Sequence, residues 1–213
     1  MLDLSLYVIT DRQFSRGRST GEVVREALRG GATVIQLREK ELSDREIFEE
    51  GMKIKPLIKE AGAGFIINDR IDLALALQAD GVHLGQQDLP LSIARKLLGA
   101  GRIIGISVKT VEEAVRAESE GADYLAVSGV YPTDTKKDVG LIVGTQGIRE
   151  IRRAVKLPLI GIGGIKIHNA REVIKAGADG IAVVSAVTTA PDIAEACRAL
   201  KAEVLQAKEE RSL

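Results

Sequence analysis

The chain predicts a single (β/α)8 barrel, and three observations carry that expectation. Eight short runs of nearly unbroken apolar residues alternate with longer segments of helical periodicity, as strands buried on both faces alternate with the helices that cover them. A small-residue signal recurs where helix gives way to strand: Gly31-Ala32-Thr33, Ala79-Asp80-Gly81, Gly121-Ala122-Asp123 and Gly177-Ala178-Asp179. Glycine at a helix end supplies the left-handed residue that closes it, so each copy reads as a helix stop. Finally, the phosphate fingerprint of the competing open doubly wound sheet would follow the first strand, where Asp11-Arg12-Gln13 stands in place of a glycine-rich turn.

Taken in order, the first unit pairs a strand at 6–10 with a helix at 20–29, and the second pairs 33–37 with 44–60. The third and fourth units place strands at 65–67 and 81–84 before helices at 71–77 and 92–98. Strands at 103–107 and 124–127 lead into helices at 111–120 and 146–155, and the last two units run 159–162 with 169–175 and 180–184 with 192–208. One domain covers 1–213, with 209–213 expected as a frayed tail.

Composition narrows what such a barrel can do. At 213 residues and 45% hydrophobic content the chain can bury one sizeable core. Thirty basic residues balance thirty acidic ones, aromatics make up 3% and tryptophan is absent, which argues against an extended nucleic-acid surface. Cys197 is the only cysteine, so neither an intramolecular disulfide nor a cysteine-based zinc site can form. The opening MLDLSLYVITDR lacks the basic start and long apolar stretch of a signal peptide, and no run approaches the ~18 apolar residues that span a bilayer. The expectation is a soluble cytoplasmic protein with small-molecule partners and no membrane or nucleic-acid partner. Homo-oligomerisation stays open.

In a barrel, function collects where strands end, and the polar clusters fall there. The apolar run before Ser128 empties into a loop in which Pro132 is followed by Thr133, Asp134, Thr135, Lys136 and Lys137. Two hydroxyls and a lysine can bind and neutralise phosphate oxygens, although a charged surface loop has the same composition. Upstream, alternation puts Gln36, Arg38 and Lys40 on one side of the chain. Asp69 and Asp88 follow strands three and four and read either as helix caps or as two ligands of one Mg2+. Charge accounting favours the metal, because two bare aspartates would repel a diphosphate gathered by Arg38, Lys40 and Lys136. Gly163-Gly164 and Val184-Ser185, after strands seven and eight, form a second anion site on the logic of the fold. His83 reads as a satisfied core group or a supporting one before it reads as a base. Two anion sites across one mouth point to group transfer between two phosphorylated substrates.

The same residues carry a resemblance. Gln36-Leu37-Arg38-Glu39-Lys40, Asn68-Asp69-Arg70, the run 79–86 with Asp88, Tyr131-Pro132-Thr133-Asp134-Thr135-Lys136 and Gly161-Ile162-Gly163-Gly164-Ile165 resemble, in order, the motifs of the thiamine phosphate synthase family. The likeness runs from about residue 6 to residue 187. It implies an enzyme that joins hydroxymethylpyrimidine diphosphate to thiazole phosphate and releases diphosphate. It further implies that Gln36, Leu37, Arg38, Glu39, Lys40, Asn68, Ser107 and Lys136 bind the pyrimidine diphosphate, and that Asp69 and Asp88 hold Mg2+. Thr133, Asp134, Thr135, Gly164, Val184 and Ser185 would bind the thiazole phosphate, with Arg38, Lys40, Lys136 and Ser107 acting in the chemistry. The 133–143 loop, with Gly140 and Gly144, is expected as a lid that keeps water from a cationic intermediate. A thiazole tautomerase of similar fold would want a histidine after the strand-five serine, where Ser107-Val108-Lys109-Thr110 has none. A non-catalytic phosphate-binding barrel is the rival from another class.

Overall fold

The computed structural model describes residues 2–133, 135 and 142–212. Eight parallel strands close on themselves in chain order: β1 (Leu6–Ile9), β2 (Val34–Leu37), β3 (Gly64–Asn68), β4 (Gly81–Leu84), β5 (Ile103–Val108), β6 (Tyr124–Ser128), β7 (Leu159–Ile162) and β8 (Gly180–Val183). Around them lie α1 (Thr20–Arg29), α2 (Asp44–Glu60), α3 (Ile71–Ala76), α4 (Leu91–Leu98), α5 (Val111–Ser119), α6 (Gly144–Ala154), α7 (Ile167–Lys175), α8 (Ser185–Thr188) and α9 (Ile193–Ser212). The predicted barrel is therefore present.

Alternation along the strands divides the apolar residues into two sets. Tyr7, Ile9, Val34, Ile66, Tyr124, Ala126, Ile160 and Ala182 pack together inside the barrel. Leu6, Val8, Ile35, Leu37, Ile67, Leu84 and Ile104 belong to the larger cluster shared with the helices. Two tyrosines inside so narrow a barrel need room. Gly105 gives it, since a Cβ there would lie 2.0 Å from the Tyr124 ring. Serine starts α1 and α2, with Ser19–Glu22 and Ser43–Glu46 forming complete capping boxes that fix where the loops after β1 and β2 end.

The small-residue repeat does more than stop helices. In each copy one residue clasps the first or second residue of the preceding strand at two points: its N–H donates to that residue's carbonyl, and its side chain accepts that residue's N–H. Thr33 clasps Leu6 (2.8 and 3.0 Å), Asp80 clasps Phe65 (2.9 and 2.7 Å), Asp123 clasps Ile104 (2.8 and 2.7 Å) and Asp179 clasps Leu159 (2.6 and 2.9 Å). The left-handed stop itself is glycine in three copies, at Gly31, Gly121 and Gly177, but in the Ala79-Asp80-Gly81 copy it is Gln78 (φ 50°), and Gly81 opens β4. Removing one clasp orphans a strand N–H, so Asp80→Ala is expected to cost about 1–2 kcal/mol, read as a lower urea midpoint at unchanged slope. A midpoint equal to wild type would mean that water replaces the carboxylate without loss.

Three expectations need correction. Residues 209–212 are the last turn of α9, not a frayed tail, because Arg211 donates to Ile174 O (3.1 Å) and Ala178 O (2.7 Å) and Glu210 accepts from Arg171. The region after β8 contains a separate short helix, α8, before α9 begins. Gly144, named with the expected lid, is the first residue of α6. Among the described residues, no helix is long and apolar enough to cross a membrane.

Candidate active site

All the expected site residues that the structure describes lie in the second half of a strand or just after it, Ser185 as the first residue of α8, on one end of the barrel. Asp134, Lys136, Lys137 and Gly140 lie outside the described residues, and so does most of the expected lid. Two groups of contacts organise what is described.

The first gathers the loops after β1 to β4. Arg38 Nη1 pairs with Asp11 Oδ2 at 2.5 Å, and the Arg38 N–H is held at 3.1 Å by the Thr10 hydroxyl. Glu39 is fastened to the β1 side. It is 8% exposed, accepts from Arg12 N–H at 3.1 Å and from the Thr20 hydroxyl at 3.4 Å, and burial pushes its carboxyl above the usual range. Glu39 thus ties the β1 loop to the end of β2, which sets where Arg38 and Lys40 emerge. The Leu37 side chain belongs to the helix-facing core, so only its backbone is placed to meet a ligand.

Asp69 sits in a tight turn closed by Arg70 N–H to Asn68 O at 2.7 Å, with φ 60°. A non-glycine residue rarely adopts that geometry, and such strain concentrates at functional positions. Lys40 Nζ lies 2.5 Å from Asp69 Oδ2. Asp88 accepts from Gly85 N–H at 2.6 Å, and its carboxyl is raised above the usual range by burial and by the Asp69 carboxylate within hydrogen-bond reach. Two carboxylates brought together in this way want a cation. Among the described residues no three acidic, histidine or cysteine groups cluster, and a magnesium ion, which often takes one or two carboxylates and completes its shell with phosphate and water, fits a pair. A cleft of about 170 Å³ lined by Glu39, Lys40, Asn68, Asp69 and Arg70, with Asp44 and Ile47 of α2 as its other wall, opens beside them. A larger groove of about 460 Å³, lined by Arg18, Glu22, Arg25 and Asp192, contains none of the expected residues.

The second group joins β6, β7 and β8. Thr135 N–H donates to the Thr133 hydroxyl at 3.2 Å, and Thr135 Oγ1 lies 3.2 Å from Ser185 Oγ. Tyr131 N–H donates to Gly163 O at 3.0 Å, pressing the β6 loop onto the β7 loop. Gly164 (φ 61°) is required there, since a Cβ would lie 2.3 Å from Pro132 O. Val184 leads directly into α8, whose first residue is Ser185.

Between the two groups, Gln36 (2% exposed) and Ser107 face the barrel interior and bond to residues that sequence reading did not include in the site: Gln36 Nε2 donates to the Tyr7 hydroxyl at 2.8 Å, and Ser107 Oγ lies 2.9 Å from His83 Nε2. The signal for Tyr7 and Tyr124 was strand parity, which places them on the same side as Gln36 and His83.

Comparison with known proteins follows the same outline. The family model described as thiamine monophosphate synthase matches residues 6–187. A thiamine-phosphate synthase of Moorella thermoacetica is 54% identical over 203 residues, 95% of this chain and 97% of its own. One from Methanospirillum hungatei JF-1 is 55% identical over 197 residues, 92% of this chain and 96% of its own. The solved thiamine phosphate pyrophosphorylase of Pyrococcus furiosus superposes with a TM-score of 0.89 at 46% identity, covering 97% of this chain and 98% of that one. Matched from the first strand to past the last, the chain belongs to the thiamine monophosphate synthase family.

Proposed function

We propose that the β1–β4 side of the mouth receives hydroxymethylpyrimidine diphosphate with Mg2+, that the β6–β8 side receives the thiazole phosphate, and that the ring nitrogen of the second displaces diphosphate from the first. The single observation that carries this reading is the pairing of two mouth cations with carboxylates: Arg38 with Asp11, and Lys40 with Asp69, whose neighbour is Asp88. Such a site holds both cations in ion pairs that can be exchanged when a diphosphate and a metal ion enter.

When bound between Asp69 and Asp88, Mg2+ would supply charge to neutralise the diphosphate oxygens. With Asp69 so engaged, Lys40 is released toward the diphosphate, and Arg38, steered by Thr10 and Asp11, meets it from the other side. Lys136 is assigned the same task from the β6 loop. As the carbon–oxygen bond to diphosphate breaks, these cations hold the charge on the leaving group, and the electron-rich aminopyrimidine supports the methylene cation that the thiazole nitrogen attacks. That step needs no general base. Asn68, Gln36 and Ser107 address the pyrimidine portion, while Thr133, Asp134, Thr135, Gly164, Val184 and Ser185 cradle the thiazole phosphate.

The test is release of diphosphate from the two substrates together, with and without Mg2+. Release that needs both substrates and the metal is the expected result, whereas isomerisation of a thiazole alone would favour a tautomerase. Ser185→Ala is expected to raise the KM for thiazole phosphate several-fold and to leave that for the pyrimidine diphosphate unchanged, because it removes one phosphate contact made before and during reaction alike. The opposite pattern would reverse the two sites.

A further inference from the structure

Beneath the strand ends a run of five polar side chains crosses the barrel, of which only the two ends belong to the proposed substrate contacts. Gln36 Nε2 donates to Tyr7 Oη at 2.8 Å; Tyr7 Oη lies 2.8 Å from Tyr124 Oη; Tyr124 Oη lies 2.9 Å from His83 Nδ1; and His83 Nε2 lies 2.9 Å from Ser107 Oγ. The tyrosines are 0% and 1% exposed, so each hydroxyl must find its partners within this run. The residues come from β2, β1, β6, β4 and β5.

Donor arithmetic gives the run a direction. An amide nitrogen only donates, so the Tyr7 oxygen accepts and its one proton goes to Tyr124. Tyr124 in turn spends its proton on His83 Nδ1. A neutral imidazole that accepts at Nδ1 carries its proton on Nε2, and that proton goes to Ser107 Oγ. The Ser107 proton is left to point away from the histidine, and Gln36 Oε1 is left to accept.

We propose that Tyr7, Tyr124 and His83 are positioning residues that fix this sense, so that the substrate ring meets a donor at Ser107 and an acceptor at Gln36. A pyrimidine with an acceptor ring nitrogen and an exocyclic amino group satisfies both ends. Its analogue with oxo in place of amino sets a carbonyl against an acceptor, and a site built for hydrogen bonding rejects such a mismatch strongly. The proposal rests on the placement of the pyrimidine at Gln36 and Ser107 given above, but the direction of the run can be read without any substrate.

The protein has two histidines, so nitrogen NMR of histidine-labelled protein, with His168→Gln for assignment, reports the His83 tautomer directly. The expected result is the Nε2–H form in the ligand-free enzyme. In Gln36→Glu, recorded from neutral to mildly alkaline pH, the carboxylate can only accept; every hydroxyl then turns round and the tautomer becomes Nδ1–H. Adding Tyr124→Phe interrupts the run, and the change at position 36 no longer reaches the histidine. In turnover, Tyr7→Phe and Tyr124→Phe are expected to raise the KM for the aminopyrimidine diphosphate about tenfold, to narrow discrimination against the oxo analogue and to leave the KM for thiazole phosphate unchanged. An Nδ1–H tautomer in the wild type, or no change of tautomer in Gln36→Glu across that pH range, overturns the proposal while leaving the synthase reading intact. The expected tautomers in a protein that fails to join the two substrates would overturn the substrate reading, and with it the assignment of what the run selects.

Discussion

Asp88→Asn should give a protein that turns over about 10²-fold more slowly at limiting Mg2+ and yet, in the absence of metal, unfolds at a higher temperature than wild type. The kinetic half follows from losing one of two carboxylates that would hold an ion stabilising leaving-group charge, a contribution of several kcal/mol shared between them. The stability half follows from the proton. Burial, and then the Asp69 carboxylate, raise the Asp88 carboxyl above the ordinary aspartate value in the folded protein. Folded protein therefore keeps that proton to higher pH than the unfolded chain does, and stability falls as pH climbs from the ordinary aspartate range through the raised value and stays lower above it. Asparagine removes the penalty while its side-chain oxygen can still accept from Gly85 N–H. Thermal melts with chelator near neutral pH, beside Mg2+ titrations of turnover, measure both. A variant with full activity at low Mg2+ would remove Asp88 from the metal site, and a lower melting point would show that the carboxylate serves the fold after all.

Gly164→Ala should be the most damaging single methyl on the β6–β8 side, the side proposed for the thiazole phosphate. Its Cβ would enter at 2.3 Å from Pro132 O and 2.8 Å from Tyr131 Cβ, in a left-handed backbone that alanine adopts at a cost of about 1–3 kcal/mol. The neighbour is main chain, so relief requires the β6 loop to lift from β7, which carries Thr133 and Thr135 away from Ser185. The expectation is a rise of at least about tenfold in the KM for thiazole phosphate together with a lower melting temperature, since small misplacements of contact groups cost this much. Wild-type values for both would show that the β6 loop has slack that the packing conceals.

Much of the mouth was legible because a barrel brings all strand ends to one place, so locating each polar cluster after a strand was enough to gather Lys40 with Asp69 and Thr135 with Ser185. Strand positions were legible to within a residue or so for a similar reason, as apolar runs between helix stops leave little choice. What escaped was whatever depends on pairing across the fold. Asp11 entered the sequence reading only as evidence against a glycine-rich turn, and its partnership with Arg38 requires the register of β1 on β2. Glu39 stands in the middle of a charged motif, and its bonds to the Arg12 N–H and the Thr20 hydroxyl likewise depend on how the β1 side folds against β2. Helix α8 is only four residues long, too short for a periodicity to declare it.

The clasps at the opposite end of the barrel divide it in a way the active site does not show. Thr33, Asp80, Asp123 and Asp179 each reach back to the strand just before their own, so every clasp joins β1 to β2, β3 to β4, β5 to β6 or β7 to β8, and none joins β2 to β3, β4 to β5 or β6 to β7. The molecule is in this sense a tetrad of two-stranded modules, each fastened internally. New chain termini opened between modules, at 61–63, 99–102 or 155–158, cut no clasp; termini opened within one cut its fastening from a continuous chain. Circular permutants and split halves of this enzyme should therefore sort by whether the break falls on a module boundary, with the junction between α4 and β5, which separates the Asp69–Asp88 pair from the β6–β8 loops, as the natural place to divide the chain into two fragments that reassemble.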